Sequence, residues 1–250
     1  MGIKLTILRC GLLDADRGVI HPGDDSHRRV LLPVTALLIQ GERTVLVDTG
    51  CPLPAAGNPD GLREAYDVDP GWIRPNVAAD ERIDGQLARL GLSIHDVDLV
   101  IATHFHFDHA GGNALFAGQV PIAAQEEELI AAREGEYMPV WDAPGLQFQP
   151  VRGDWSPMSE VECLLTPGHT PGHQSLLLRL EEQPWLFTVD AVYTEEHWRR
   201  NLLGAVADVP AARASIERLR EIAERENARL IFGHDLGQWE TLTQEQRVYR

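Results

Sequence analysis

Ile101-Ala-Thr-His104-Phe-His106-Phe-Asp108-His109-Ala-Gly-Gly112 is the stretch on which the reading of this chain turns. It completes the run Val97-Asp-Leu-Val-Ile-Ala102, whose aliphatic and β-branched residues have the character of a buried strand. Three of the chain's ten histidines, with one aspartate, fall within residues 104–109. A solvated surface run has no reason to concentrate imidazoles in this way, whereas a metal site does. His104 and His106, two apart, project to one side of an extended chain, so both rings can share one ion. Asp108 and His109 lie past a turn and can serve a second ion nearby. Gly111 and Gly112 give the backbone freedom for the tight bend that such crowding requires.

Three further segments repeat the pattern of a donor placed directly after an apolar strand. In Leu164-Leu-Thr166-Pro-Gly-His169-Thr-Pro-Gly-His173, His169 stands in a Pro/Gly turn that can fix and expose a side chain together. His173, at the start of the next strand, is read as a satisfied core residue in preference to a ligand. In Trp185-Leu-Phe-Thr-Val-Asp190-Ala-Val-Tyr193, an aspartate ends a buried strand. That is costly unless something neutralises it, and two cations bridged by its two oxygens would do so. Leu230-Ile-Phe-Gly-His234-Asp235 places one more histidine just past a strand. A fifth strand end, Val45-Leu-Val-Asp48-Thr-Gly50, has no histidine beside it, so Asp48 is read as a residue that orients a ligand or forms a turn. Five histidines and two aspartates make the inventory of a dinuclear site.

Strand-like segments appear at about 3–9, 35–40, 44–48, 98–102, 120–124, 161–165, 174–180, 185–189 and 229–232, and helix-like ones near 82–91, 125–133 and 210–226. In the last, Ile216, Leu219, Ile222 and Ala223 repeat at helical spacing. Residues 51–81, with several Pro and Gly and no clear period, read as a long loop of functional character. The mixture suits two packed β-sheets with helices outside, an α/β sandwich, in one domain over 1–250.

Composition limits the partners. With 22 Lys and Arg against 38 Asp and Glu, the formal charge is −16, which argues against nucleic acid or an anionic membrane. A neutral or cationic small substrate is permitted. The cysteines Cys10, Cys51 and Cys163 are too few and scattered for a disulfide framework or a cysteine zinc site, and a cytoplasmic, reducing compartment fits best. The N-terminal run has too short an apolar stretch for a signal peptide, and no segment approaches the length of a membrane span. Alternating Ile3, Leu5 and Ile7 read as a first strand, although Gly2 and Thr6 formally match a myristoylation pattern.

HxHxDH at 104–109, followed in order by His169, Asp190 and His234, resembles the zinc signature of the metallo-β-lactamase superfamily. The resemblance implies a four-layer αββα sandwich with the site at the sheet edges. It also implies two divalent ions, zinc first among them with iron, cobalt or manganese as alternatives. By that resemblance His104, His106 and His169 hold one ion, Asp108, His109 and His234 the other, and Asp190 bridges them. The segments THFHFDHAGGN, TPGHTPGHQSL, DAVYTEE and FGHD, with Glu136-Tyr-Met138, are similar to those of N-acyl homoserine lactonases, which degrade quorum-sensing signals. The implied reaction is opening of the lactone ring by a metal-bridging hydroxide, with the Tyr193 phenol meeting the substrate and Asp108 helping to protonate the leaving alkoxide. The N-terminal third and residues 51–81 would shape the acyl-chain pocket. The protein is expected as a monomer or homodimer.

Three other readings compete. A hydrolase of the same superfamily acting on a different lactone, ester, thioester, phosphodiester or β-lactam would keep the metals and change the pocket. A redox di-iron protein would normally carry a carboxylate at position 106. A non-catalytic metal-binding module would not need Tyr193 beside a full ligand set.

Overall fold

Alternation along three strands decides the layering. Val45 and Val47, Leu99 and Ile101, and Leu176 and Leu178 point into one apolar layer, while Leu46, Val100 and Leu177 between them point the other way. Each of these strands is therefore buried on both faces, which requires a further layer beyond each sheet.

The computed structural model describes residues 2–243 and 247–250. In chain order its strands are β1 Lys4–Asp16, β2 Arg29–Gln40, β3 Thr44–Val47, β4 Ile73–Asn76, β5 Leu99–Ile101, β6 Pro121–Gln125, β7 Gln147–Val151, β8 Trp155–Met158, β9 Val161–Leu165, β10 Gln174–Arg179, β11 Pro184–Phe187, β12 Arg229–Ile231 and β13 Val248–Tyr249. The α-helices are α1 Gly61–Tyr66, α2 Ile83–Arg89, α3 Phe107–Ala110, α4 Glu126–Arg133, α5 Glu195–Arg200, α6 Val209–Glu226 and α7 Leu236–Leu242. One sheet has eight strands in the order β13-β1-β2-β3-β5-β6-β7, with β4 also paired to β1; the other has five, β12-β11-β10-β9-β8.

Between the sheets, Leu5, Leu37, Val45, Val47 and Ile101 meet Val161, Leu176, Leu178 and Phe187. Beyond the larger sheet, Leu87 of α2 and Leu129 of α4 share a core with Leu46, Val100 and Ile122. Beyond the smaller one, Leu219 and Ile222 of α6 pack on Leu164, Leu177 and Leu186. The architecture is the expected αββα sandwich. The α6 helix starts where Asp208 accepts the Ala211 N–H and Pro210 enters the first turn, and it stops at Asn227 in the left-handed conformation.

The structure adds β7, β8, β13, α3, α5 and α7, which the reading of the sequence did not list, and it reshapes two regions of that reading. The first strand runs on to Asp16 and its partner begins at Arg29, because the pairing passes through a register shift between Arg9 and Leu12. Gly11 sits in that bulge at φ 100°, where a Cβ would lie 2.6 Å from Val77 Cγ2. Residues 51–81 are not an unbroken loop, since they contain α1 and β4. Residues Ile73–Asn76 pair antiparallel with Leu12–Ala15 and form a curled flap with the end of β1. Among the described residues no helix is long and apolar enough to cross a membrane.

The strands β3, β5 and β6 are parallel neighbours, as are β11 and β12. Their carboxyl ends therefore open at shared edges, where ligand sites of α/β sheets form. Asp48, His104, Asp190 and His234 all lie just past such ends.

Candidate metal centre

Asp48 is the residue from which the site is built. It follows β3 at φ 61°, fully buried. Its Oδ1 accepts the Thr103 N–H at 2.8 Å and its Oδ2 accepts both the Thr103 hydroxyl at 2.8 Å and His109 Nδ1–H at 2.8 Å. The Thr103 hydroxyl proton is thereby spent, so Thr103 Oγ1 accepts His104 Nδ1–H at 3.1 Å. One carboxylate thus fixes two imidazoles with their Nε2 lone pairs facing inward. Asp48 is an orienter, as its place after a strand suggested.

The other rings are set by backbone carbonyls. His169 Nδ1–H donates to Ala205 O at 2.7 Å and His234 Nδ1–H to Pro33 O at 2.9 Å. His169 Nε2 then stands 3.3 Å from His104 Nε2 and 2.9 Å from His106 Nδ1, and these last two are 3.1 Å apart. Lone pairs of His104 and His169 meeting at that range repel unless a cation lies between them. Nitrogens on a tetrahedral zinc would be about 3.3–3.4 Å apart, from Zn–N bonds of about 2.0–2.1 Å. Asp108, His109 and His234 converge as a second group, with His109 Nε2 3.5 Å and His234 Nε2 3.7 Å from Asp108 Oδ2. Asp190 stands between the groups, its Oδ2 3.5 Å from His169 Nε2 and 3.2 Å from His234 Nε2, its Oδ1 3.4 Å from His109 Nε2. All seven residues expected from the sequence are brought together.

Two buried atoms of this cluster, His109 Nε2 and Asp190 Oδ1, have no hydrogen-bond partner. Buried polar atoms are seldom left so, and these two face one another. The residues therefore fit divalent cations. Burial, reinforced by the neighbouring imidazoles, holds His104 well below the usual histidine range and keeps it a neutral donor. Burial pushes His109 the same way, but the Asp108, Asp190 and Asp48 carboxylates outweigh it and raise the ring to about 10. The surroundings of His109 thus call for positive charge.

His173 does not face the cluster as a ligand. Its Nδ1 lies 2.9 Å from Thr166 Oγ1 and its Nε2 accepts the Asp190 N–H at 3.1 Å, so it anchors the backbone of Asp190. Gly111 and Gly112 have ordinary φ values of −65° and −89°, so freedom of the backbone is not their role. Close approach is: a Cβ on Gly111 would lie 2.2 Å from Pro52 N, and one on Gly112 2.4 Å from Thr49 O.

Some participants had no signal in the sequence. Glu128, in the first turn of α4, reads as one of three consecutive surface acids, yet it is 1% exposed. Its Oε1 accepts the Phe105 N–H at 2.9 Å, and its Oε2 accepts Thr170 Oγ1–H at 2.8 Å and the Gly172 N–H at 2.9 Å.

The cluster forms the floor of a cavity of about 300 Å³, with Leu13, Val19, Leu32, Trp72, Ile73, Phe107, Tyr137 and Met138 among its walls. Tyr193 is at the floor, its ring stacked on His234 at 5.5 Å between centroids. Its hydroxyl is 3.2 Å from His169 Nδ1 and donates weakly to Ala205 O at 3.4 Å. A Cβ on Gly204 would lie 1.9 Å from Tyr193 Cε2, so only glycine leaves room for the ring.

An αββα sandwich with paired His/Asp groups at the strand ends defines a class, and the chain belongs to the metallo-beta-lactamase superfamily, whose family model matches residues 29–234. Within that superfamily it belongs with the N-acyl homoserine lactonases. It is 40% identical over 210 residues to one from a Bacillus species, covering 83% of each chain. It is 37% identical over 238 residues to that of Bacillus thuringiensis, covering 94% of each. A solved N-acyl homoserine lactone hydrolase, with the product N-hexanoyl-L-homoserine bound at its catalytic metal center, superposes with a TM-score of 0.91 at 34% identity, covering 100% of both chains. The family and the clustered donors make this chain a metal-dependent hydrolase.

Proposed function

We propose that this chain hydrolyses the ring ester of N-acyl homoserine lactones, using two divalent ions held by His104, His106 and His169 on one side and Asp108, His109 and His234 on the other, with Asp190 shared. The observation that carries the reading is the position of the donor cluster at the floor of an apolar cavity with a phenol beside it. A compact polar ring would sit on the floor, and an acyl tail would find hydrocarbon walls. The lactone hydrolases to which the chain is similar support that choice among the substrates of the superfamily. Bound in this site, divalent ions supply a Lewis acid for the carbonyl and an activated water at neutral pH.

The chain's own groups do the rest. Burial, with the Asp190 and Asp108 carboxylates adding to it, lifts the Tyr193 phenol well above its ordinary range, so it enters the reaction as a proton-bearing donor. Its weak bond to Ala205 O at 3.4 Å is one it can give up for a developing oxyanion. Asp108 accepts the proton that the attacking water gives up and returns it to the ring oxygen as the ester opens. Zinc suits the nitrogen-rich donor set. The three buried free cysteines accord with a reducing cytoplasm. One inter-sheet core and one shared site support a single domain over residues 1–250.

The test compares kcat/KM for N-hexanoyl- and N-decanoyl-homoserine lactone with values for a penicillin and a phosphodiester. The lactones are expected to lead. A higher value for either other class overturns the reading.

A further inference from the structure

We infer that Glu128 is a positioning residue of the metal centre: its carboxylate spans the two loops that carry His104, His106 and His169 and sets the spacing of their ring nitrogens. This rests on the proposal that those three histidines share an ion. The side chain comes from α4, which contributes no donor to the cluster, and it reaches across to loops from opposite sheets. One oxygen holds the backbone of Phe105, the residue between His104 and His106. The other holds Thr170, next to His169, and Gly172 two residues beyond it. No other side chain among those described bonds both loops at these positions.

The arrangement makes a definite demand on the group that fills it. Three donors converge, from two directions, on one side chain that has only acceptors when ionised. Burial pushes the Glu128 carboxyl up, while the donors from Thr170 and Phe105, the nearby Tyr137 hydroxyl and the Gly172 N–H pull it back. Close packing seats the second loop directly on α4, because a Cβ on Gly172 would lie 2.4 Å from Glu128 N. The three ring nitrogens that depend on this link are 2.9, 3.1 and 3.3 Å apart, so a shift of a few tenths of an ångström changes their fit to an ion.

Glutamine in place of Glu128 keeps the shape but must turn an NH2 toward either Phe105 or the Thr170 and Gly172 pair, setting donor against donor. Aspartate keeps the charge but is one methylene short and cannot reach both loops. Both Glu128→Gln and Glu128→Asp are therefore expected to weaken zinc retention by about 10- to 100-fold, the usual cost of losing a group that orients ligands.

The measurement is equilibrium competition between the full-length zinc-loaded protein and a graded chelator series. It is paired with thermal unfolding of loaded and stripped forms and with the visible spectrum of the Co²⁺-substituted protein. Positioning predicts weaker zinc retention, an altered Co²⁺ spectrum, and a larger loss of thermal stability in the loaded form than in the stripped one. Equal losses in both forms with unchanged zinc retention mean a role in folding alone and overturn the inference. Full retention in Glu128→Asp also overturns it, since charge without span would then suffice. Should either variant fail to fold, Thr170→Val removes a single donor from the same link and is expected to give a smaller weakening in the same direction; unchanged retention there counts against the inference. His106→Ala, run in parallel, separates the two claims. If that variant still holds two ions, the ligand assignment falls and the inference with it; if it loses one while the Glu128 variants match wild type, the inference alone falls.

Discussion

Tyr193 separates metal binding from chemistry better than any residue in the cluster. Tyr193→Phe removes one hydroxyl whose protein contacts are long, so fold and metal content should be retained. If the phenol donates to the developing oxyanion, kcat and kcat/KM should both fall, by about 10- to 1,000-fold for one lost donor. A rise in KM alone would place its role in the ground state, and unchanged kinetics with two ions bound would remove it from the mechanism. Asp48→Asn tests a different layer. The amide cannot accept from His109, Thr103 N and the Thr103 hydroxyl together, so His104 and His109 lose their fixed orientation. Metal affinity should drop by about 10- to 100-fold, read by chelator competition, and unchanged affinity would show that the rings need no such anchor. The seven proposed donors were legible in the sequence because histidines and aspartates are conspicuous when they follow apolar strands. Glu128, Thr103 and Gly204 were not, because each acts on a partner that only the folded chain brings near. A glycine needed for the space beside a distant tyrosine ring looks like any loop glycine.

At the scale of elements, strands and helices with a clean period were readable, and those shaped by pairing with distant segments were not. The strand β3 and helix α6 show their buried faces in their own spacing. The flap made by the end of β1 with β4 does not, since the Gly11 bulge breaks the alternation and the register of Ile73–Asn76 is set by a partner about sixty residues earlier. That flap carries Leu13, Trp72 and Ile73 to the cavity wall. Trp72 is 54% exposed at this wall, while the backbone beside it is held by the Asp16 N–H to Trp72 O bond at 2.8 Å. An exposed indole on a fixed backbone offers apolar surface at that wall. Trp72→Ala should lower kcat/KM for N-decanoyl-homoserine lactone by about tenfold or more, as losing part of an apolar contact costs about 1–3 kcal/mol. The N-butanoyl substrate should be nearly unaffected, and equal loss on both would contradict a role at the tail. In α6, fully buried Leu219→Ala should cost about 2–5 kcal/mol by chemical denaturation and leave kcat intact, because its contacts are Leu164, Leu177 and Leu186 on the far side of the smaller sheet.

Over the whole molecule, the proposed donors divide between the two sheets. His104, His106, Asp108 and His109 follow β5 in the larger sheet, whereas His169, Asp190 and His234 follow β9, β11 and β12 in the smaller. Each proposed ion draws ligands from both, so metal binding would clasp the open edge of the sandwich. The inter-sheet core is built without it, from Leu5, Leu37 and Ile101 against Leu176 and Phe187, so the stripped chain should still fold. Chelation is therefore expected to lower the unfolding temperature without abolishing the cooperative transition. At free ion a thousandfold above Kd, each site adds about 4 kcal/mol. For a chain of this length that corresponds to about 8–16 °C per site, at about 2–4 °C for each kcal/mol. Two sites should give two increments as zinc is restored, with elemental analysis reaching two ions per chain. A single increment with a final stoichiometry of one in fully active protein would defeat the dinuclear proposal. An unfolding temperature insensitive to chelation, with both ions removed, would defeat the clasp: the lone pairs facing across the junction would then cost the stripped protein nothing that a cation repairs.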